Sequence, residues 1–308
     1  MTGKSESVCG RVLRTVGGVY EVEIEGEVAD CSLRGRLKQE KGIGRVAVGD
    51  EVELERMDDG GCVIASVLPR SSRLSRRSAD GRREQLIATN VDQLGAVFSV
   101  ARPEPVPSLL DRFLVLAEAN DISAFVVCNK VDLSGEEEAR ELFGVYQEIG
   151  YDVLYTSAKR GQGIEQLREH LAGQITLFVG PSGVGKSSLL NALQPGLGLR
   201  VGEISKALER GRHTTVAAAL HPLDVGGYVV DTPGLGNMRL WEMAERDLAH
   251  CFREFESFLG DCKFDDCSHV HEPECRILEA LEHEDISPLR YESYRKMLDE
   301  SSGESRGW

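Results

Sequence analysis

The alternation of apolar and polar positions changes period along the chain. From Cys9 to about Leu68 it is two-fold: Tyr20, Val22 and Ile24 interleave with Glu21, Glu23 and Glu25, the pattern of a strand with one buried face. Gly17–Gly18 ahead of that strand reads as a hairpin turn. Val28 to Leu37, Asp50 to Leu54 and Cys62 to Leu68 read as further strands, separated by Gly42, Gly44, Gly49 and Gly60–Gly61. Five short strands in roughly sixty residues predict a small closed barrel of the oligonucleotide-binding type, a form that also takes sugars and proteins.

After Arg83 the period lengthens. Leu94–Val100 and Ala124–Cys128 are unbroken apolar runs, as in strands buried on both faces. Between them, Leu110, Phe113, Leu114 and Ala117 recur at helical spacing within Leu109–Asn120. A helix carrying Leu142, Phe143, Tyr146 and Ile149 follows, then strand Tyr151–Thr156 and a helix with Ile164, Leu167 and Leu171. Strand Ile175–Val179, a helix with Leu189, Leu190, Ala192 and Leu193, and strand Gly227–Val230 complete the series. Strands alternating with helices predict a parallel sheet with helices over it. From Trp241 the pattern reads as helical, with Leu248, Phe252, Phe255 and Phe258 on a core-facing side. Ser287-Pro288 opens another helix, Ser as cap and Pro at the first position, and Ser301 to Trp308 read as a frayed end. The expected division is 1–69 barrel, 70–84 arginine-rich linker, 85–240 α/β domain and 241–308 helical domain.

Composition adjusts this picture in three places. Net charge is −15, which argues against indiscriminate binding to nucleic acid. The charge is uneven: from Trp241 onward 18 acidic residues stand against 8 basic ones. The stretch Arg70 to Glu84, by contrast, holds Arg70, Arg73, Arg76, Arg77, Arg82 and Arg83 beside only Asp80 and Glu84, a candidate phosphate contact or a solvated linker. Cys9, Cys31, Cys62 and Cys128 are scattered in apolar surroundings and read as core packing. No apolar run reaches the ~20 residues that span a bilayer, and the N-terminus lacks the apolar stretch of a secretory signal, so a cytoplasmic protein without membrane contact is expected.

The candidate chemistry begins at Gly180-Pro181-Ser182-Gly183-Val184-Gly185-Lys186-Ser187-Ser188, between a predicted strand and a predicted helix. This is the phosphate-loop pattern. Its glycines let the backbone wrap an anion, its N–H groups point at phosphate from a helix start, Lys186 reaches the terminal phosphates and Ser187 is placed to hold Mg²⁺. Asn129-Lys130-Val131-Asp132 follows a strand: the Asp132 carboxylate can accept from the two donors on the edge of guanine, which adenine does not offer. Ser157-Ala158-Lys159 follows the next strand and suits a second contact to that base. Arg212-His213-Thr214-Thr215 lies in a polar stretch where a threonine hydroxyl, Thr215 for choice, can join Ser187 on Mg²⁺. Asp231-Thr232-Pro233-Gly234 ends the last strand, with Asp231 holding Mg²⁺ through water and the Gly234 N–H meeting the γ-phosphate. In the tail, Cys262, Cys267, His269 and Cys275 give three thiolates and an imidazole, a closed structural zinc set, with His271 a rival ligand.

These motifs are those of a translation-factor-like GTPase in a permuted order, because Asn129–Asp132 and Ser157–Lys159 precede the phosphate loop. Together with the barrel, Leu68–Ser72 (LPRSS), Ala88–Gln93 (ATNVDQ), Leu109–Leu114 (LLDRFL), Gly211–Thr215 (GRHTT) and the Cys262–Cys275 tail, the chain resembles the ribosome small-subunit-dependent GTPase A family, the bacterial RsgA/YjeQ proteins. The resemblance implies a circularly permuted P-loop GTPase domain, an OB-type barrel before it and a helical zinc-binding domain after it. It also implies GTP as substrate, Mg²⁺ and one zinc ion as cofactors, the small ribosomal subunit and its rRNA as partners in late assembly, subunit-stimulated hydrolysis and a monomer; the family pattern matches His269. Leu235 follows the Asp231–Gly234 motif where many GTPases carry a water-orienting glutamine, so another group has to orient water; His213 is the nearest in sequence, or else a solvated loop residue. Two other readings are a nucleotide-gated binding module for a protein partner with incidental hydrolysis, and an ATP-using enzyme, the latter disfavoured by Asp132.

Overall fold

The computed structural model describes residues 7–35, 37, 45–57, 61–77, 84–197, 218–231 and 248–305. The first five strands are β1 (Ser7–Val16), β2 (Val19–Ile24), β3 (Glu27–Leu33), β4 (Glu51–Arg56) and β5 (Cys62–Val67). They pair in the order β1-β2-β3-β5-β4, and β4 returns to β1, which closes the predicted barrel. A register shift between Val12 and Arg14 lets the long β1 serve both neighbours. The alternation seen in the sequence is the inside–outside alternation of the wall: Val12, Tyr20, Val22, Cys31, Val52, Leu54 and Ile64 fill the interior. The outside of β2–β3 is acidic, with Glu21 directly opposite Asp30.

The stretch read as an arginine-rich linker is ordered where it is described. β6 (Arg73–Arg77) pairs antiparallel with β7 (Glu84–Thr89). Arg70 is no free cation: its Nε and Nη2 donate to Asp50 at 2.6 and 2.7 Å, and Thr89 Oγ1 and the Ala47 N–H donate to the same carboxylate. Asp50 is fully buried. A charge run in the sequence says nothing of a buried partner such as Asp50, which stands twenty residues back along the chain and is brought to Arg70 by the fold. Gly49 is required at this junction, since a Cβ there would lie 2.1 Å from the Thr89 carbonyl oxygen.

The α/β part consists of β8 (Gln93–Ser99), α1 (Pro107–Glu118), β9 (Ser123–Asn129), α2 (Glu136–Glu148), β10 (Asp152–Thr156), α3 (Ile164–Leu171), β11 (Ile175–Val179), α4 (Lys186–Leu193), β12 (Ala219–Pro222) and β13 (Tyr228–Asp231). The sheet order is β10-β9-β8-β11-β13-β12, all parallel but for β12. Chain order runs outward from β8 to β10, returns through α3 to the centre at β11, then passes to the other side. That reversal is the topological switch point where such sheets bind ligands, beyond the C-terminal ends of the strands. α1 and α2 cover one face with Phe113, Leu114, Phe143 and Tyr146; α3 and α4 cover the other with Leu167, Leu171, Leu189 and Leu193. After β10 the chain turns back at Gly163, where a Cβ would stand 2.3 Å from the Tyr155 carbonyl oxygen. β12 touches β1 at Ala219 and Arg14, so the barrel continues the sheet.

The tail departs from its expected form. Leu248 is helical, and from Ala249 the chain makes two 3-10 turns, Ala249–Cys251 and Arg253–Phe255, in place of a continuous helix, and then α5 (Arg276–Glu282) and α6 (Pro288–Ser305). Leu248, Phe252 and Phe255 are buried as expected, with Phe258 packed against them. α6 starts at Pro288 as predicted and continues to Ser305, past the residue where fraying was expected. Val115 of α1 belongs to the tail's apolar cluster. Beside it Arg290, 1% exposed, pairs with Asp111 (0%) at 2.6 Å and with Glu254 at 2.6 Å. Of the four cysteines assigned to core packing, Cys31 and Cys128 are buried, Cys62 is half-buried, and Cys9 is exposed because it lies on the outer face of β1.

Candidate functional site

The loop Gly180–Gly185 leaves the end of β11, and α4 begins at Lys186. Its backbone needs glycine at two points beyond dihedral preference. A Cβ on Gly180 (φ +141) would lie 2.1 Å from the Val97 carbonyl oxygen, and one on Gly185 (φ +101) 2.4 Å from Asn129 Nδ2. Pro181 is half-buried, Ser182 and Gly183 are exposed, Val184 is buried and Ser188 is half-buried. Ser187, 8% exposed, stands in the first turn of α4. The Lys186 ammonium donates to the carbonyls of Gly180 and Pro181 at 2.6 and 2.9 Å, so it is held over the loop.

The structure brings Asn129–Asp132 against this loop although 55 residues separate Asn129 from Val184. Buried Asn129 donates through Nδ2 to the Val184 carbonyl at 2.8 Å. Its Oδ1 accepts from Thr156 Oγ1 at 3.2 Å and from the Ala158 N–H at 3.3 Å. One amide therefore ties three loops, each following a different strand. Lys130 Nζ donates to the Gly183 carbonyl at 2.6 Å and to that of Arg102, and burial holds its pKa below the usual lysine value against the opposing pull of Asp132. Val131 is 2% exposed and packs in the core; its contribution is its N–H, donated to the Thr156 carbonyl at 3.1 Å. Ser157 Oγ donates to Asp132 Oδ1 at 2.6 Å, and that bond holds the Asp132 carboxyl below its ordinary pKa. Ser157 is itself fixed by its N–H bond to the Gln162 carbonyl at 2.9 Å. Lys159 is exposed beside them. Asp231 ends β13, the strand next to β11. His213, Thr214, Thr215, Gly234, Leu235 and the basic run Arg200–Arg212 lie outside the described residues.

Loop 101–106 after β8 was not singled out by the sequence. It supplies the Arg102 carbonyl that receives Lys130, and Ser99 Oγ donates to the Pro103 carbonyl at 2.8 Å. Backbone acceptors carry no residue-type signal; only the position of the loop at a strand's C-terminal end could have marked it.

In the tail, Cys262 Sγ and Cys275 Sγ stand 3.6 and 3.5 Å from His269 Nδ1 and 3.9 Å from one another. All four donor atoms, Cys267 included, lie within 4.8 Å of each other. A tetrahedral zinc with bonds of ~2.3 Å to sulfur and ~2.0 Å to nitrogen sets its ligands ~3.8 Å (S to S) and ~3.5 Å (S to N) apart. The spacing fits that ion. Burial keeps the His269 imidazole below its usual pKa, hence neutral and able to ligate, and pushes the Cys267 thiol up to about 12, a cost that a bound dication reverses by stabilising thiolate. Glu272 braces the knuckle by accepting from the N–H groups of Ser268, Val270 and His271. Tyr291 and Tyr294 on α6 donate to the carbonyls of His269 and Ser268, both at 2.8 Å. His271 is exposed and outside the donor cluster.

Two family models match the chain: the RsgA N-terminal domain over residues 9–64 and the RsgA GTPase over residues 67–241. The chain is 48% identical to the small ribosomal subunit biogenesis GTPase RsgA of Gemmatimonas aurantiaca over 97% of its own length and 99% of that protein. It is 45% identical to the protein of that name from Thermotoga maritima, covering 92% of both. Among solved structures, it is similar to YjeQ from Thermotoga maritima with a TM-score of 0.80, 40% identity, and 96% of this chain and 98% of that chain covered. YloQ, described as a circularly permuted GTPase, gives a TM-score of 0.78 at 30% identity with complete coverage of both chains. The chain belongs to the RsgA GTPase family and has its circularly permuted architecture.

Proposed function

We propose that this protein hydrolyses GTP during late maturation of the small ribosomal subunit, is stimulated by that subunit, and uses hydrolysis to time its own release. The observation that carries the reading is the Asn129 amide, which joins the phosphate loop to both base-facing loops and so makes one pocket of motifs scattered along the chain. Asp132, kept ionised by Ser157, suits the paired donors of guanine. The backbone of Gly180–Ser188 cradles the phosphates, and the Lys186 ammonium moves from the loop carbonyls to phosphate oxygens. Ser187, Thr215 and, through water, Asp231 are the residues to hold Mg²⁺. When bound, that ion neutralises charge on the β- and γ-phosphates. In this reading the Gly234 N–H serves the γ-phosphate, Thr214 shares the catalytic role of the threonine motif, and His213 orients the attacking water. Cys262, Cys267, His269 and Cys275 hold a structural zinc that fixes the tail's fold.

Contact with rRNA is confined to patches, because Glu21, Glu23 and Asp30 line the outer wall of β2–β3 and repel phosphate. The basic candidates are the barrel loops, the arginine-rich stretch 70–84, of which Arg73 is exposed, and the run Arg200–Arg212. The protein works in the cytoplasm as a monomer; among the described residues no helix is long and apolar enough to cross a membrane. The test is GTP turnover alone, with purified small subunits and with large subunits. Stimulation by small subunits only is expected; equal turnover in all three arms overturns the assignment.

A further inference from the structure

Two of the eight cysteines stand in a relation that neither the nucleotide pocket nor the tail cluster uses. Cys9 faces Glu53, and Cys128 lies between Phe98 and Tyr155. Cys31 and Cys62, in contrast, are direct partners across the ladder of β3 and β5, the parallel seam of the barrel. Neighbouring strands lie ~4.8 Å apart, inside the ~4.4–6.8 Å between Cα atoms that a disulfide spans. Both side chains face inward: Cys31 is 2% exposed, and half-buried Cys62 packs against the same apolar cluster. Both are thiols in this structure. We propose that Cys31 and Cys62 are a modification site, a dithiol that a hydroperoxide converts into an intrachain disulfide across the barrel's parallel seam.

The order of events follows from exposure. Cys62 is the sulfur an oxidant reaches first. Its thiolate attacks the peroxide O–O bond, giving a sulfenic acid on Cys62 and releasing an alcohol, or water from hydrogen peroxide. Cys31 then attacks the Cys62 sulfur. The S–S bond forms, the S–OH bond breaks, and the Cys31 proton leaves with the hydroxyl as water. Two thiols are oxidised and one peroxide is reduced. Burial, with the Cys62 thiol beside it, keeps the Cys31 thiol protonated, so Cys62 and not Cys31 is the sulfur that reacts with the peroxide. The bond ties β3 to β5 and encloses residues 32–61, so the oxidised barrel opens less readily.

The experiment uses the full-length, zinc-loaded protein titrated with hydrogen peroxide, alkylated, digested and mapped by mass spectrometry. A linked Cys31–Cys62 peptide, restored to free thiols by dithiothreitol, is expected, with slower hydrogen exchange in β3 and β5. In Cys31→Ser the linked peptide disappears and Cys62 is trapped by dimedone as sulfenic acid; in Cys62→Ser neither product forms. Peroxide that leaves both thiols free, or takes Cys62 to sulfinic acid in the folded protein without the linked peptide, overturns the proposal. So does a linked peptide found only between two different chains.

Discussion

Replacing Arg290 by Met removes the one cation from a buried cluster that docks the tail onto α1. Arg290 donates through Nη1 to Asp111 and through Nε and Nη2 to Glu254, with its guanidinium 4.7 Å from the Phe252 ring centre. Asp111 is fully buried and shares Oδ1 with Tyr146 Oη, while its Oδ2 has no hydrogen-bond partner among the described residues. Met fills most of the volume yet leaves the Asp111 carboxyl without its cation in an apolar setting. Breaking a buried pair from one side costs about 3–5 kcal/mol, a large share of the ~5–15 kcal/mol that holds a domain folded. At about 2 °C per kcal/mol for a cooperative unit of this size, the unfolding midpoint should fall by about 6–10 °C in calorimetry at neutral pH. The adjacent residue supplies the control. Arg112 pairs with Glu300 where the side chains are 24% and 58% exposed, so Arg112→Met should cost less than about 1 kcal/mol. Removing both charges in Arg290→Met/Asp111→Leu should recover much of the loss, because no carboxylate is then stranded on α1. An Arg290→Met midpoint within about 1 °C of the parent protein would refute the argument that this cluster anchors the tail.

Asn129→Ala strands the Val184 carbonyl, the Thr156 hydroxyl and the Ala158 N–H; at ~1–3 kcal/mol for unmade buried hydrogen bonds, GDP affinity should fall about 5- to 150-fold by fluorescence titration. Ser157→Ala removes the donor that depresses the Asp132 pKa, so Asp132 returns toward the ordinary carboxylate range. Binding that needs ionised Asp132 persists above the depressed folded value and is lost as pH falls through it; the acid limb of GDP affinity should therefore move to higher pH in the variant, and an unmoved limb removes Ser157 from base recognition. One zinc per chain is expected by elemental analysis and less in Cys267→Ser; chelation should loosen α1 as well as the tail, read as faster exchange at Val115, because that residue belongs to the tail's core. His213→Ala should lose subunit-stimulated GTP turnover while keeping GDP affinity, and retained stimulation would take His213 out of the mechanism.

Local pattern was enough for what depends on local pattern. The two-fold alternation of β2 and β4, the apolar runs of β8, β9 and β11, and the i, i+3, i+4, i+7 spacing of α1 are each imposed by neighbours within one element. The permuted motif order was legible too, because each motif is contiguous. What escaped notice was long-range and polar. Asp111 sits among Leu110, Phe113 and Leu114 on the buried side of a helix, a conflict that pointed to a buried partner without naming Arg290, 179 residues away. Arg70 looked like one more exposed arginine because nothing nearby in sequence reveals Asp50. The helical reading after Trp241 failed from Ala249 because Phe252, Phe255 and Phe258 keep a near-helical spacing in 3-10 turns as well.

These polar clusters bear on what the permutation achieves. Moving the phosphate loop behind the base motifs places Asp231 at the end of the α/β unit, so the chain reaches the tail directly from the strand that faces the phosphates. That connectivity alone suggests a tail that follows the nucleotide state. The packing says otherwise. Arg253 reaches Glu118 and the Gly150 carbonyl, groups that precede β9 and β10, and so grips the sheet at the end away from the phosphate loop. Arg290 grips α1 along its middle, and Asp50 with Arg70 fixes the barrel against Thr89 on the other flank. Separating either unit would expose or strand a buried carboxylate at a cost of several kcal/mol. A nucleotide acts on such an equilibrium only through a difference in its affinity for the two states, and moving it from one side to the other takes ~5.5 kcal/mol of that difference. The cheaper course is for barrel, sheet and tail to keep their mutual positions while hydrolysis acts on the segments near the γ-phosphate. The subunit would then be gripped by one shaped body, and the nucleotide state would be read at the pocket itself.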